Sequence, residues 1–275
     1  TRVLIIDEIS MINNELFKKL DIIGQNIRND RNPFGGIQII LSGDFLQLPP
    51  VKSNNFCFET FTWDITIEEK IYLDKIIRQD NIEFQNVLNK IRVGKVDDEV
   101  KNMLNQCLNR KLDNNDGIIP TLLFSKKDMV KEYNDENLNN LINKNLENET
   151  NEYYSEYIFN SKVEESVKDE YKTLINKQYN IEDKIILTKF SQVMLNINNM
   201  DEGLSNGSRG IIIGFSDNKN PIVNFLNGKI LEIKKKEYKL EDNKDYVIKK
   251  QIPLIHAWAI TIHKAQGMSL EYIKT

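Results

Sequence analysis

The chain has 275 residues, 40% hydrophobic and 28% charged, with a formal net charge of -4, a pI of about 5.5 and a mean hydropathy of -0.47. No apolar run approaches the ~20 residues of a membrane span, and there is no secretory signal pattern. Cys57 and Cys107 stand alone, outside any C-x-x-C, and His256 and His263 complete no zinc spacing, which excludes a disulfide scaffold or a zinc module and points to a reduced intracellular setting. The acidic balance does not advertise nucleic-acid binding, although local grooves matter more than totals. Thr1 opens almost directly into an apolar strand, so the chain reads as a fragment or trimmed product, with which any targeting signal could have been lost.

Val3-Leu4-Ile5-Ile6 has the pattern of a strand buried on both faces, and Asp7-Glu8 stand at its C-terminal end, where open α/β sheets bind ligands. In a nucleotide-hydrolysing site Asp7 holds Mg²⁺, directly or through water, and Glu8 polarises the attacking water. Leu16, Phe17, Leu20, Ile23 and Ile27 recur at helical spacing behind Asn13 or Asn14 as cap, and Asn32-Pro33-Phe34-Gly35-Gly36 breaks the helix. Ile37–Leu41 is a second apolar strand, ending in Ser42-Gly43-Asp44-Phe45-Leu46-Gln47-Leu48-Pro49-Pro50. The two strands and their crossover helix make a βαβ unit with both polar turns on one edge of a parallel sheet. In the second turn Gly43 permits a tight bend, Asp44 accepts hydrogen bonds or supports the metal shell, and Gln47 suits sensing a γ-phosphate or orienting water. A capped strand with a proline stop is the alternative reading of this turn.

Ile71-Tyr72-Leu73 reads as a short strand before Arg78, which either reaches a phosphate as an arginine finger or is a surface residue. Helices follow over Phe84–Ile91 and Val100–Cys107, then a strand at Thr121-Leu122-Leu123-Phe124, Ser125, and a helix through Leu141. The stretch from Asn143 to Asn151 reads as a solvated loop, Tyr153–Phe159 as strand or hairpin, and 162–180 as a polar helix. From Lys184 short β-type runs alternate with turns at Asn206-Gly207, Asp217-Asn218 and Asn227-Gly228, the texture of a small barrel. Lys234-Lys235-Lys236 and Lys249-Lys250 read as solvated surface or as phosphate contacts. At the end of the last apolar segment, Thr261, His263, Lys264 and Gln266 crowd together before Gly267, a cluster suited to gripping a sugar-phosphate backbone.

Together these blocks resemble the PIF-type DNA helicases of helicase superfamily one, the 5′-to-3′ branch that includes the RecD-like enzymes. Asp7-Glu8-Ile9-Ser10-Met11 resembles the family's motif II and Gly43-Asp44-Phe45-Leu46-Gln47-Leu48-Pro49-Pro50 its motif III. Arg78-Gln79 sits where motif IV supplies its arginine, and Leu88-Asn89-Lys90-Ile91-Arg92-Val93-Gly94 resembles a segment typical of the branch. Gln192–Leu195 with Asn206-Gly207-Ser208-Arg209-Gly210 resembles the edge of an inserted SH3-like barrel, and Thr261–Gly267 resembles motif V. The resemblance implies an α/β fold of RecA-like P-loop motor domains with that inserted β-barrel. Residues 1–73 are then the C-terminal part of the first motor domain, 74–183 the first part of the second, 184–250 the barrel, and 251–275 the second motor continued.

The resemblance further implies ATP and Mg²⁺ as cofactors, with Asp7 on the metal, Glu8, Gln47 and Arg78 catalytic, and Asp44, Gln266 and Gly267 at the nucleotide interface. Thr261, His263 and Lys264 are the implied DNA contacts. The partners are single-stranded and forked or duplex DNA, with no membrane, and the motor is monomeric. It belongs in the nucleus or mitochondrion if the source is eukaryotic. Roles in repair, recombination, replication or telomere maintenance are implied. No G-x-x-x-x-G-K-[ST] occurs in the chain and the family's final motif is absent, so the segment by itself is expected not to hydrolyse ATP. Phe190 stands where relatives often carry Gly, and Ala265 where they often carry Ser. The rival reading is a degenerate, non-hydrolysing DNA-binding or scaffold protein derived from a helicase.

Overall fold

The structure, a computed structural model, describes every residue except 78, 109–117, 145–148, 161–162, 199–201, 243–244, 269–272 and 275. The chain divides into two compact units, Thr1–Lys111 and Leu112–Thr275.

In the first unit β1 (Val3–Ile6) pairs in parallel with β2 (Gln38–Leu41), in register from Val3 opposite Gln38 to Ile6 opposite Leu41. The crossover is α1 (Asn14–Arg28), capped by Asn13, whose Oδ1 accepts from the Leu16 amide at 2.8 Å. The return turn, Pro33–Gly36, lies so close to α1 that a Cβ on Gly24 would sit 2.7 Å from the Phe34 carbonyl oxygen. Buried Asp21 fastens the same junction by accepting from the Phe34 amide at 2.6 Å. Phe17, Phe34, Ile9 and Cys57 form the core beneath the sheet, with Phe17 edge-on to Phe34 at 5.3 Å. After α2 (Phe61–Thr66), helices α3 (Ile82–Arg92) and α4 (Asp98–Leu108) form a hairpin tied by Lys90 to Asp97 at 2.8 Å and to Glu99.

Two expectations fail in this unit. The strands are not buried on both faces: Ile5 is 65% and Ile40 45% exposed, because among the described residues no element covers that side of the two-stranded sheet. Residues 71–73 form no strand. Leu73 is 93% exposed, and β propensity without a pairing partner does not make a strand.

The second unit begins with β3 (Thr121–Phe124) and α5 (Lys127–Lys144); of the loop expected over Asn143–Asn151, Asn143 and Lys144 are helix, Thr150 and Asn151 are strand, and 145–148 lie outside the described residues. It continues through β4 (Thr150–Tyr154), β5 (Glu156–Phe159), α6 (Lys168–Tyr179), β6 (Lys184–Thr188), β7 (Gln192–Leu195), β8 (Arg209–Phe215), β9 (Pro221–Phe225) and β10 (Ile230–Glu232). It closes with β11 (Lys236–Asp242), β12 (Asp245–Gln251), β13 (Leu254–His256), β14 (Ala259–Thr261), α7 (Ile262–Ala265) and β15 (Ile273–Lys274). Strands β14, β3 and β15 form a parallel sheet with β3 in the middle. The closely spaced strands form an antiparallel sheet in the order β10-β9-β8-β7-β13. Among the described residues it keeps two free edges and does not close into a barrel. Its core, around Leu187, Val193, Leu195, Ile212, Val223 and Phe225, is shared with the β4–β6 pair.

Lys249 overturns its expected place on a solvated surface. It is fully buried, with Asn176 Oδ1 at 2.6 Å, Asp183 Oδ1 at 3.0 Å and the Ile181 and Glu182 carbonyls at 3.2 Å. Strand alternation sends it toward α6, while Lys250 on the other side pairs with Glu237 at 2.8 Å.

Candidate functional site

Two groups of residues stand at strand ends, one in each unit. In the first unit, the turns after β1 and β2 interlock. The Ser42 amide donates to the Ile6 carbonyl at 2.9 Å, and the Ile9 amide donates to the Ser42 carbonyl at 3.0 Å. Gly43 makes this possible, since a Cβ there would lie 2.9 Å from the Ile9 nitrogen, at a φ of 153°. Asp7, Glu8, Asp44 and Gln47 are thereby gathered at one sheet edge.

Asp7 is exposed; its Oδ1 accepts from the Glu8 amide at 2.9 Å. Glu8 is half-buried and takes a left-handed backbone, φ 52° and ψ 45°, unusual for a side chain other than Gly, Asn or Asp and typical of functional turns. Asp44 accepts from the Leu46 amide at 3.1 Å and lies 3.4 Å from Gln47 Nε2, so its carboxylate holds the turn that carries the glutamine. Arg92, at the end of α3, grips the same carboxylate side-on through Nε at 2.7 Å and Nη2 at 2.9 Å. That guanidinium keeps the Asp44 pKa below the usual carboxylate value. Arg78 lies outside the described residues.

The donor set fits a nucleotide-bound Mg²⁺ in one respect. Among the described residues no cluster of three His, Cys, Asp or Glu side chains could cage a metal alone. Mg²⁺ in such sites is commonly held by one or two carboxylates, with phosphate and water completing the shell, and Asp7 presents one exposed carboxylate at the strand end.

In the second unit β14 ends at Thr261, whose Oγ1 accepts from the Lys264 amide at 3.2 Å and caps α7. His263 and Lys264 are half-buried on this helix, and Gly267 ends it with a φ of 74°. Burial, reinforced by the charge of Lys127, lowers the Lys264 pKa to about 8. A Cβ on Gly207 would meet Met268 Sδ at 3.0 Å, so the turn after β7 rests directly on the segment that follows α7. Phe190, between β6 and β7, has a φ of 72°, a backbone conformation for which glycine is the usual choice.

Neither Arg92 nor Lys127 was singled out in the sequence for a role at these sites. Arg92 meets Asp44 across 48 positions, and no local pattern encodes such a pairing. Its place within Leu88–Gly94, the segment typical of the PIF branch, was the available signal.

The family model for PIF1-like helicase matches residues 1–102. The ATP-dependent DNA helicase PIF1 of Xenopus laevis is 39% identical over 279 residues, covering 98% of this chain and 42% of the relative. The crystal structure of Pif1 helicase from Candida albicans superposes with a TM-score of 0.75 at 32% identity, covering 99% of this chain and 66% of that one. The chain belongs to the PIF1-like helicase family. The Bacteroides Pif1 helicase in complex with ADP-AlF3 and ssDNA matches with a TM-score of 0.62 at 28% identity, over 99% of this chain and 64% of that one. An α/β architecture of the Pif1 helicase kind follows. The chain spans less than half the length of the PIF1 relative from Xenopus laevis.

Proposed function

We propose that this chain is part of the motor of an ATP-dependent DNA helicase that moves 5′ to 3′ on single-stranded DNA and unwinds duplex or forked DNA. The observation that carries the reading is the interlocked pair of turns, with Asp7-Glu8 and Asp44–Gln47 on one sheet edge, in a PIF1-like chain. In this reading Asp7 holds Mg²⁺, which would supply charge neutralisation on the nucleotide phosphates. Glu8 takes the proton of the attacking water, and its fixed left-handed turn sets the direction of the carboxylate. Gln47 orients water or contacts the γ-phosphate from a turn that Asp44 braces. By the family resemblance Arg78, which lies outside the described residues, supplies the arginine for transition-state charge, and Gln266 and Gly267 belong to nucleotide binding. Thr261, His263 and Lys264 contact the DNA backbone.

Residues 1–73 are read as the end of the first RecA-like motor domain, and 74–183 with 251–275 as the second. Residues 184–250 are read as the inserted SH3-like module; antiparallel strands and tight turns support an inserted β module, open among the described residues. A monomeric motor acting in the nucleus or mitochondrion, in repair, recombination, replication or telomere maintenance, completes the proposal. Among the described residues no helix is long and apolar enough to cross a membrane.

The test is ATP hydrolysis by the complete polypeptide that carries this chain, with and without single-stranded DNA, beside its Glu8→Gln variant. The proposal expects turnover stimulated by DNA and reduced at least 100-fold in the variant, in line with loss of a general base. Retained DNA binding without hydrolysis in the unmodified protein would instead favour a degenerate clamp.

A further inference from the structure

Two lysines of the second unit are withdrawn from solvent in opposite circumstances. Lys249 is surrounded by a carboxylate, an amide oxygen and two carbonyls. Lys264 is half-buried, yet among the described residues no carboxylate lies within ion-pair distance of its ammonium and no acceptor is hydrogen-bonded to it. The charge that acts on it comes from Lys127, of the same sign. A shielded cation within reach of a second like charge costs folding free energy that an arriving anion would relieve.

The backbone explains why the two lie in the same neighbourhood. β3 and β14 are parallel neighbours, with Phe124 opposite Thr261, so their carboxyl ends lie side by side. One strand continues into Ser125-Lys126-Lys127, the other into Ile262-His263-Lys264. α5, which starts at Lys127, is locked to β14 by Asn134. Its Nδ2 donates to the Ala259 carbonyl at 3.1 Å and its Oδ1 accepts from the Ala259 amide at 2.9 Å. The lysine pair is therefore held by backbone on both sides, and Lys127 itself is exposed.

We propose that Lys127 and Lys264 form a two-lysine seat for a single backbone phosphate of single-stranded DNA, with Lys127 as a contact additional to those of the α7 segment. This rests on the DNA-motor reading above. Compact ammonium groups from two directions suit a phosphodiester oxygen, and each phosphate contact carries a defined share of the salt dependence of binding.

The experiment is fluorescence anisotropy of a labelled oligothymidylate with the complete polypeptide, titrated over a series of salt concentrations. Lys127→Gln is compared with Lys127→Arg and with Lys177→Gln, an exposed lysine on α6 that serves as the net-charge control. Lys127→Gln is expected to weaken binding by roughly threefold to tenfold at low salt and to make the log–log salt slope about 0.7 less steep, the single-strand value for one lost contact. Lys127→Arg keeps the slope, and Lys177→Gln leaves both quantities unchanged. An unchanged slope and affinity in Lys127→Gln, with binding by the unmodified protein intact, overturns this inference alone. Failure of the unmodified protein to bind the oligonucleotide overturns the motor reading as well. Loss of inorganic tripolyphosphate binding without any change for the oligonucleotide assigns the pair to free polyphosphate and also overturns the proposal.

Discussion

Arg92 donates to both carboxylate oxygens of Asp44, Nε to Oδ2 at 2.7 Å and Nη2 to Oδ1 at 2.9 Å, and so fastens the end of α3 to the turn that carries Gln47. A side-on guanidinium–carboxylate pair fixes direction as well as distance, which a lysine cannot reproduce. Its energetic weight at a partly exposed site is modest, about 1 kcal/mol.

Replacing Arg92 by Ala is expected to lower stability by about 1 kcal/mol and, on the proposed ATPase reading, to lower kcat of the complete polypeptide for ATP roughly tenfold with KM within about twofold, because the turn loses its brace while the proposed nucleotide contacts remain. Arg92→Lys restores part of the kcat. The sign with pH follows from the depressed Asp44 pKa: the pair contributes stability above the ordinary carboxylate range, and that contribution is lost as pH falls through the lowered value. Chemical denaturation of Arg92→Ala below about pH 4 should show a shallower pH dependence than the unmodified protein.

His256 offers a second pH test in the other unit. Its Nε2 lies 3.0 Å from the Ile186 carbonyl oxygen, its ring stacks on Trp258 at 5.1 Å, and burial lowers its pKa to about 4. The unfolded chain protonates this imidazole near pH 6.5, whereas the folded protein resists to about 4. Stability is therefore full above 6.5 and is lost progressively as pH falls toward 4, by about 2 kcal/mol at most after allowing for partial solvent access. A His256→Gln variant should lose that slope between pH 6.5 and 4 in denaturant titrations. An unaltered slope would show that other groups carry it.

On the proposed DNA-binding reading, Lys264 predicts a pH response of DNA affinity. With a free-protein pKa of about 8 and Lys127 as the charge acting on it, the ammonium is present below pH 8 and is progressively lost above. Bound phosphate favours the ammonium form, so affinity for an oligothymidylate is expected to fall roughly tenfold between pH 7 and pH 9. Folding stability should move the other way over the same range, since a charge penalised by burial and by Lys127 disappears from the folded state. Lys264→Gln should remove the pH response of affinity.

Local pattern was sufficient for a good part of this molecule. Alternation of apolar runs with polar turns placed β1, α1 and β2 and the two carboxylate-bearing turns, because a βαβ crossover is dictated by short-range periodicity and by Pro33-Phe34-Gly35-Gly36. Asn13 or Asn14 as a cap is legible because the side chain bonds to a backbone amide three residues away, and Asn13 takes the role. The order of the motif-like blocks carried the family, which the comparisons then established.

Tertiary structure decided what depends on meetings between distant residues. Lys249 reads as a surface lysine because charge alone predicts solvent, yet Asn176 and Asp183 compensate it inside the protein. Ile71-Tyr72-Leu73 has strand composition and no partner to hydrogen-bond, so it forms no strand. The short strands after Lys184 read as a small barrel; antiparallel pairing forms, but among the described residues the sheet does not close, since closure depends on edges meeting rather than on any one run. Asp44 with Arg92, and Lys264 with Lys127, are long-range encounters set by how helices return to strand ends, and one-dimensional spacing holds no trace of them. The sequence by itself determined which chemical groups stand at the strand ends; only the fold decided which of them are braced and which cation has, among the described residues, no counter-charge.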